Sequence, residues 1–281
     1  MTYERKRVYI LVKTYPTISE KYVELVCTAG VLEDGSWIRL YPVPLRKLDP
    51  EKQYSKFTWV NVDVTRNTSD FRPESYRPDL TSIRVEEKPK KIDWNERNEI
   101  IFKNKKIYTN LQELVCKAKS KDYATSLAVF KPSKILDVTV EPVSREWDRE
   151  KLDQIKAQSH QQNFFYTPEE LEECFSVVKK VPYKFSYKFE DDAGKQSTLM
   201  IEDWEIGILF FKCAANSVGG EEAAIQKVRQ KYLEEFVKNK DLYFFLGTTK
   251  RFHNVSPNPF IIIGVYYPPR SLPPKQNRLF A

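Results

Sequence analysis

Between Val181 and Lys195 the chain reads VPYKFSYKFEDDAGK. Tyr183, Phe185, Tyr187 and Phe189 hold alternate positions, and Lys184, Ser186 and Lys188 fill the gaps. A period of two does not fit a helix face. It puts the rings on one side of a strand and the lysines on the other. Asp191 to Gly194 supplies turn residues, and Ser197 to Ile201 reads as the returning strand. A platform that stacks bases while cations follow the backbone needs rings and lysines on the same face. Alternation separates them here, so this hairpin is expected to be core.

The same reasoning gives a sheet-rich chain. Val8 to Lys13, Phe57 to Val64, Ile135 to Val143, Leu242 to Leu246 and Phe260 to Tyr267 read as strands. Asp34-Gly35, between Val31-Leu32 and Trp37 to Tyr41, has the pattern of a two-residue hairpin. Thr17 to Gly30 points two ways. Thr17 and Glu20 form a capping box, yet Val23 to Val31 is rich in β-formers. Helical spacing marks Leu111 to Lys119, Trp147 to Lys156, a segment capped by Thr167, Asp203 to Phe211, and Glu221 to Lys238. The expected class is α+β, with antiparallel β-sheets and several packed helices. The polar break from His160 to Asn163 is taken to divide the chain. Residues 1–160 form a mainly β N-terminal domain. Residues 161–281 form an α+β C-terminal domain with a short Pro-rich tail.

Charge and chemistry narrow the function classes. The chain carries a net charge of +7, which favours anionic partners. Between Ile101 and Val140 there are 8 lysines against 3 acids, and between Asp241 and Ala281 there are 5 basic residues against 1 acid. Meeting in space, the two segments would form a nucleic-acid-binding patch. Lys103, Lys105, Lys106 and Lys131 stand for the first; Lys250, Arg251 and His253, in the polar link between two apolar strands, stand for the second. Arg39 is the added candidate in the N-terminal sheet. The leading expectation is nucleic-acid binding, of DNA or RNA, in repair, modification or defence. The alternatives are an enzyme on a nucleotide or other small anion, using the Arg39 face or the His253 loop, and a protein-interaction module.

Several chemistries lack their residues. The cysteines 27, 116, 174 and 213 contain no CxxC pair, and the chain has neither a Walker loop nor a GxSxG elbow. No cofactor follows from the sequence. No apolar run approaches a membrane span, and the expected location is the cytoplasm. Pro78-Asp79 followed by Glu86-Glu87-Lys88 resembles the PD…ExK pattern of metal-dependent nucleases, at shorter spacing. Gln276, Leu279 and Phe280, after Pro273-Pro274, resemble the short motif with which bacterial replication and repair proteins hold the sliding clamp. That resemblance implies a docking role for these three residues. Asn277 and Arg278 depart from the motif.

Overall fold

The computed structural model describes residues 2–88, 91–162 and 177–270, with backbone only for 158–162. The N-terminal third is a barrel. Its strands are β1 (Glu4–Lys13), β2 (Thr17–Ser19), β3 (Val23–Val31), β4 (Trp37–Val43), β5 (Trp59–Arg66), β6 (Ser75–Pro78) and β7 (Arg84–Val85). β1 pairs with β5 through its first half and with β3 through its second half. The closed path runs β1-β3-β4-β6-β5 and back to β1; only the β4–β6 pair is parallel. Numbering those five strands in chain order gives 1-2-3-5-4-1, the connectivity of the OB fold.

The sequence explains the closure. Val8, Ile10, Val26, Ile38, Leu40, Val60, Val62 and Val64 fill the lumen by alternation. The outward residues Tyr9, Leu11, Ala29 and Val31 are also buried, beneath a second layer. That is why β1 and β3 read as continuous apolar runs, and why the capping box at Thr17 yields to strands β2 and β3. The β3–β4 hairpin forms at Asp34-Gly35, but its loop has three residues rather than two. Leu32 N–H donates to Ser36 O at 2.9 Å, and Gly35 takes φ 88°. A Cβ at Gly35 would lie 2.2 Å from Lys103 O, so only glycine fits there.

A four-stranded sheet covers the barrel: β8 (Ile107–Tyr108), β9 (Leu127–Phe130), β13 (Tyr243–Thr248) and β14 (Phe260–Tyr266). Both of its faces are buried. Tyr243, Phe245 and Ile263 face the barrel; Phe244, Leu246 and Ile262 face away. On that far side lies a three-stranded sheet of β10 (Lys134–Pro142), β11 (Tyr183–Glu190) and β12 (Gln196–Met200). Phe185, Tyr187 and Phe189 of β11 are core, and Lys184 instead pairs with Glu141 at 2.6 Å. β10 and β11 lie on either side of residue 160 and pair over their whole lengths, so one sheet spans the expected domain division.

The helices are α1 (Trp94–Phe102), α2 (Leu111–Lys119), α3 (Arg149–Gln162), α4 (Trp204–Ala215) and α5 (Gly220–Arg229). A π-helical turn, Gln230–Glu235, then leads into α6 (Phe236–Asn239). Asn110 and Asp203 cap α2 and α4 by accepting backbone N–H groups. The segment capped by Thr167 lies outside the described residues. No helix among the described residues is long and apolar enough to cross a membrane. The nuclease-like pattern does not converge. Asp79 caps a short turn at Thr81, Glu86 is bound by Arg7, and Lys88 reaches Ser55.

Candidate nucleic-acid interface

Arg39 lies on the outward face of β4, the face on which OB barrels hold their ligands. Here that face is covered, and Arg39 is 1% exposed. Its guanidinium donates to Ser126 Oγ at 2.8 Å, Ser126 O at 3.2 Å and Ser75 Oγ at 3.3 Å. It is a strut between the barrel and the second sheet, beyond the reach of phosphate. The lysines of the first basic segment are also committed. Lys103 and Lys105 donate to the carbonyls of Glu33 and Gly35, which fastens the β3–β4 hairpin. Lys106 pairs with Glu113, and Lys131 with Asp241 at 2.8 Å.

His253 is a pivot rather than a contact. It is fully buried. Nε2 lies 2.8 Å from Ala118 O, and a carbonyl only accepts, so Nε2 carries the proton. Nδ1 therefore accepts from the Thr248 hydroxyl at 2.7 Å. Burial lowers its pKa and keeps the ring neutral. The ring thus ties the loop between β13 and β14 to the last turn of α2.

A third loop joins them: residues 67–74, between β5 and β6. Arg66 gathers its carbonyls, donating to Asn67, Asp70, Arg72 and Ser75. Arg72 grips Asp70 with two nitrogens and reaches Thr248 O. Burial works against the Asp70 carboxylate, but Arg72 holds it down at about 2. Phe71 projects from this braced loop and meets the His253 ring edge-on at 5.0 Å.

The three loops make one corner, which carries exposed rings. Phe71 is 46% exposed, Phe252 49% and Tyr123 58%. Cations lie among them: Lys117 sits 4.0 Å over the Tyr123 ring, and Arg251 sits 5.3 Å from Phe252. Lys119, Lys121 and Lys250 are exposed. Among the described residues, none of these five cations has an acidic partner. The two basic segments therefore do meet, through Lys117, Lys119 and Lys121 rather than Lys103, Lys105, Lys106 and Lys131. The sequence offered one signal for this, the run Lys250-Arg251-Phe252, where a ring sits beside cations in a loop. Gln276, Leu279 and Phe280 lie outside the described residues.

No curated protein matches the chain. A solved structure of a murine DNA-binding protein bound with double-stranded DNA shares 9% identity, covering 98% of this chain and 100% of its own. Its TM-score of 0.30 is too low to define a shared fold. Residues 4–103, the barrel with α1, match the family model described as domain of unknown function DUF8758. Residues 108–281 match the model described as domain of unknown function DUF8757, and since these make up more than half of the chain, the protein belongs to that family.

Proposed function

We propose that the protein binds single-stranded nucleic acid across the corner formed by residues 67–74, 117–124 and 249–255. One observation carries the reading: the His253-braced loops carry three exposed rings, two of them in contact with Lys117 and Arg251, together with the exposed Lys119, Lys121 and Lys250. Cations beside rings suit a strand whose phosphates take the charge and whose unpaired bases stack. The barrel adds a fold-level analogy only. The loop joining the fourth and fifth strands of an OB barrel is one of its usual ligand loops, and Phe71 stands on it.

The test is binding of short single-stranded DNA and RNA over a salt series. Lys250→Ala with Arg251→Ala, and separately Lys119→Ala with Lys121→Ala, should weaken binding. Each pair should also flatten the salt slope by about 0.7 unit per lost phosphate contact. Lys103→Ala with Lys106→Ala should change neither, because those ammonium groups are already committed. The absence of wild-type binding to either polymer at low salt would overturn the reading.

A further inference from the structure

At the far ends of β5 and β14 from this corner lies a cavity of about 230 Å3 between the barrel and the helices. Lys56 stands at its base, in the turn entering β5, and is buried. Its ammonium lies 2.6 Å from Asp203 Oδ2 and 2.7 Å from Glu205 Oε2. Asp203 is held further by the N–H groups of Val265 at 3.0 Å and Glu205 at 3.3 Å. The single ammonium is therefore matched by two carboxylates. Burial pushes the Asp203 carboxyl up against the pull of Lys56. Burial also opposes the Glu205 carboxylate, and Lys56 pulls it down. Glu205 is the more open of the two, with 46% of its side chain exposed.

The opposite wall is aromatic. Tyr267 presents the accessible ring; Tyr232 and Phe236 stand behind it, both buried, with Phe236 stacked on Tyr267 at 3.9 Å and 16°. Tyr232 comes from the π-helical turn, an irregularity often found at functional sites. Its carbonyl is satisfied by the Tyr187 hydroxyl at 2.7 Å, so the turn is a supported part of the fold. The same turn places Lys231 on the cavity, half-buried, and Lys88 adds an exposed ammonium held by Ser55 Oγ at 3.1 Å. Among the described residues neither Lys88 nor Lys231 has an acidic partner. Behind Glu205, Lys13 is nine-tenths buried with its ammonium over the Trp204 ring at 4.7 Å.

We infer that this cavity binds one nucleoside monophosphate unit, with its base against the Tyr267 ring, an amino group or ribose hydroxyls on Glu205, and its phosphate between Lys88 and Lys231. The volume falls below the roughly 300–1,000 Å3 of drug-sized sites, which suits a base and sugar enclosed with the phosphate at the rim. The unit is either a free nucleotide or the phosphorylated end of a strand. The site is separate from the corner described above and stands or falls independently of it.

Calorimetry on the full chain with the four ribonucleoside 5′-monophosphates, and with inorganic phosphate, tests this. At least one nucleotide should bind at least tenfold more tightly than phosphate. Lys88→Ala with Lys231→Ala should weaken that binding at least tenfold without lowering the melting temperature, since both groups sit at the rim. Glu205→Gln should weaken it while phosphate binding stays unchanged. Lys250→Ala with Arg251→Ala should leave it intact. Competition by a 5′-phosphorylated trinucleotide identifies a strand end, and lack of competition a free nucleotide; both agree with the proposal. It is overturned if no nucleotide binds at millimolar concentration, if phosphate binds as well as any nucleotide, or if the Lys88/Lys231 variant binds like wild type.

Discussion

His253 shows how a single buried side chain can organise a surface. Its two ring nitrogens are used up by Thr248 and Ala118, and its edge supports Phe71. Its folded pKa lies below the unfolded value of about 6.5, so the unfolded chain takes up the proton first as pH falls. The stability it contributes is present above about pH 6.5 and is lost below it. Between pH 7.5 and 5 the wild type should therefore lose more melting temperature than His253→Gln, whose amide can still donate to Ala118 O. Differential scanning calorimetry at matched ionic strength checks the sign. At pH 7.5, His253→Ala should cost about 1–3 kcal/mol, because the Ala118 carbonyl and the Thr248 hydroxyl lose a buried partner. Lys56 is a second such residue. Replacing it with Met leaves two carboxylates around a vacated charge, and chemical denaturation should register a loss of about 3–5 kcal/mol.

Among the elements, β11 is the one its sequence describes most fully. Alternation fixed which face would be buried, and the rings of Phe185, Tyr187 and Phe189 are in the core. Phe185→Ala should cost about 3–5 kcal/mol in a urea titration, whereas Lys184→Ala, which removes only a partly exposed pair with Glu141, should cost under about 1 kcal/mol. Helix α2 was legible from its apolar period, although Asn110 caps it where the sequence pointed to Thr109 and Gln112, and α4 was legible from its cap, Asp203. The β3 strand was less so, because both of its faces are covered and an all-apolar run carries no period. The site was hardest to read. A sum of charges along the chain cannot tell Lys103, which a carbonyl of the β3–β4 hairpin absorbs, from Lys119, which stays open. That difference lies in contacts 70 residues apart in the chain. Arg39 misled for a related reason: its strand faces outward from the barrel, but outward is not solvent once a second sheet covers it.

At the scale of the molecule, the barrel and the four-stranded sheet share one buried layer, built from Tyr9, Leu11, Val31, Tyr243, Phe245 and Tyr266 among others. The two family matches part at residues 103–108, but the packing does not. Thermal unfolding should accordingly follow one transition by both tryptophan fluorescence and far-ultraviolet circular dichroism. Residues 1–103 expressed alone should expose the Tyr9–Leu11–Trp37 face, bind a hydrophobic dye and elute as aggregates in gel filtration. On the proposed reading, the covered barrel face also sets the length of strand that fits. A ligand lying across strands β3 and β4 would have to part the shared layer, so occupancy is confined to the rim where Phe71, Tyr123 and Phe252 emerge. Three rings stack few bases, which puts the footprint at the short end of the roughly 4–16 nucleotides that an OB domain spans. Several molecules would then be needed to coat a long strand, and affinity should climb in steps with oligonucleotide length.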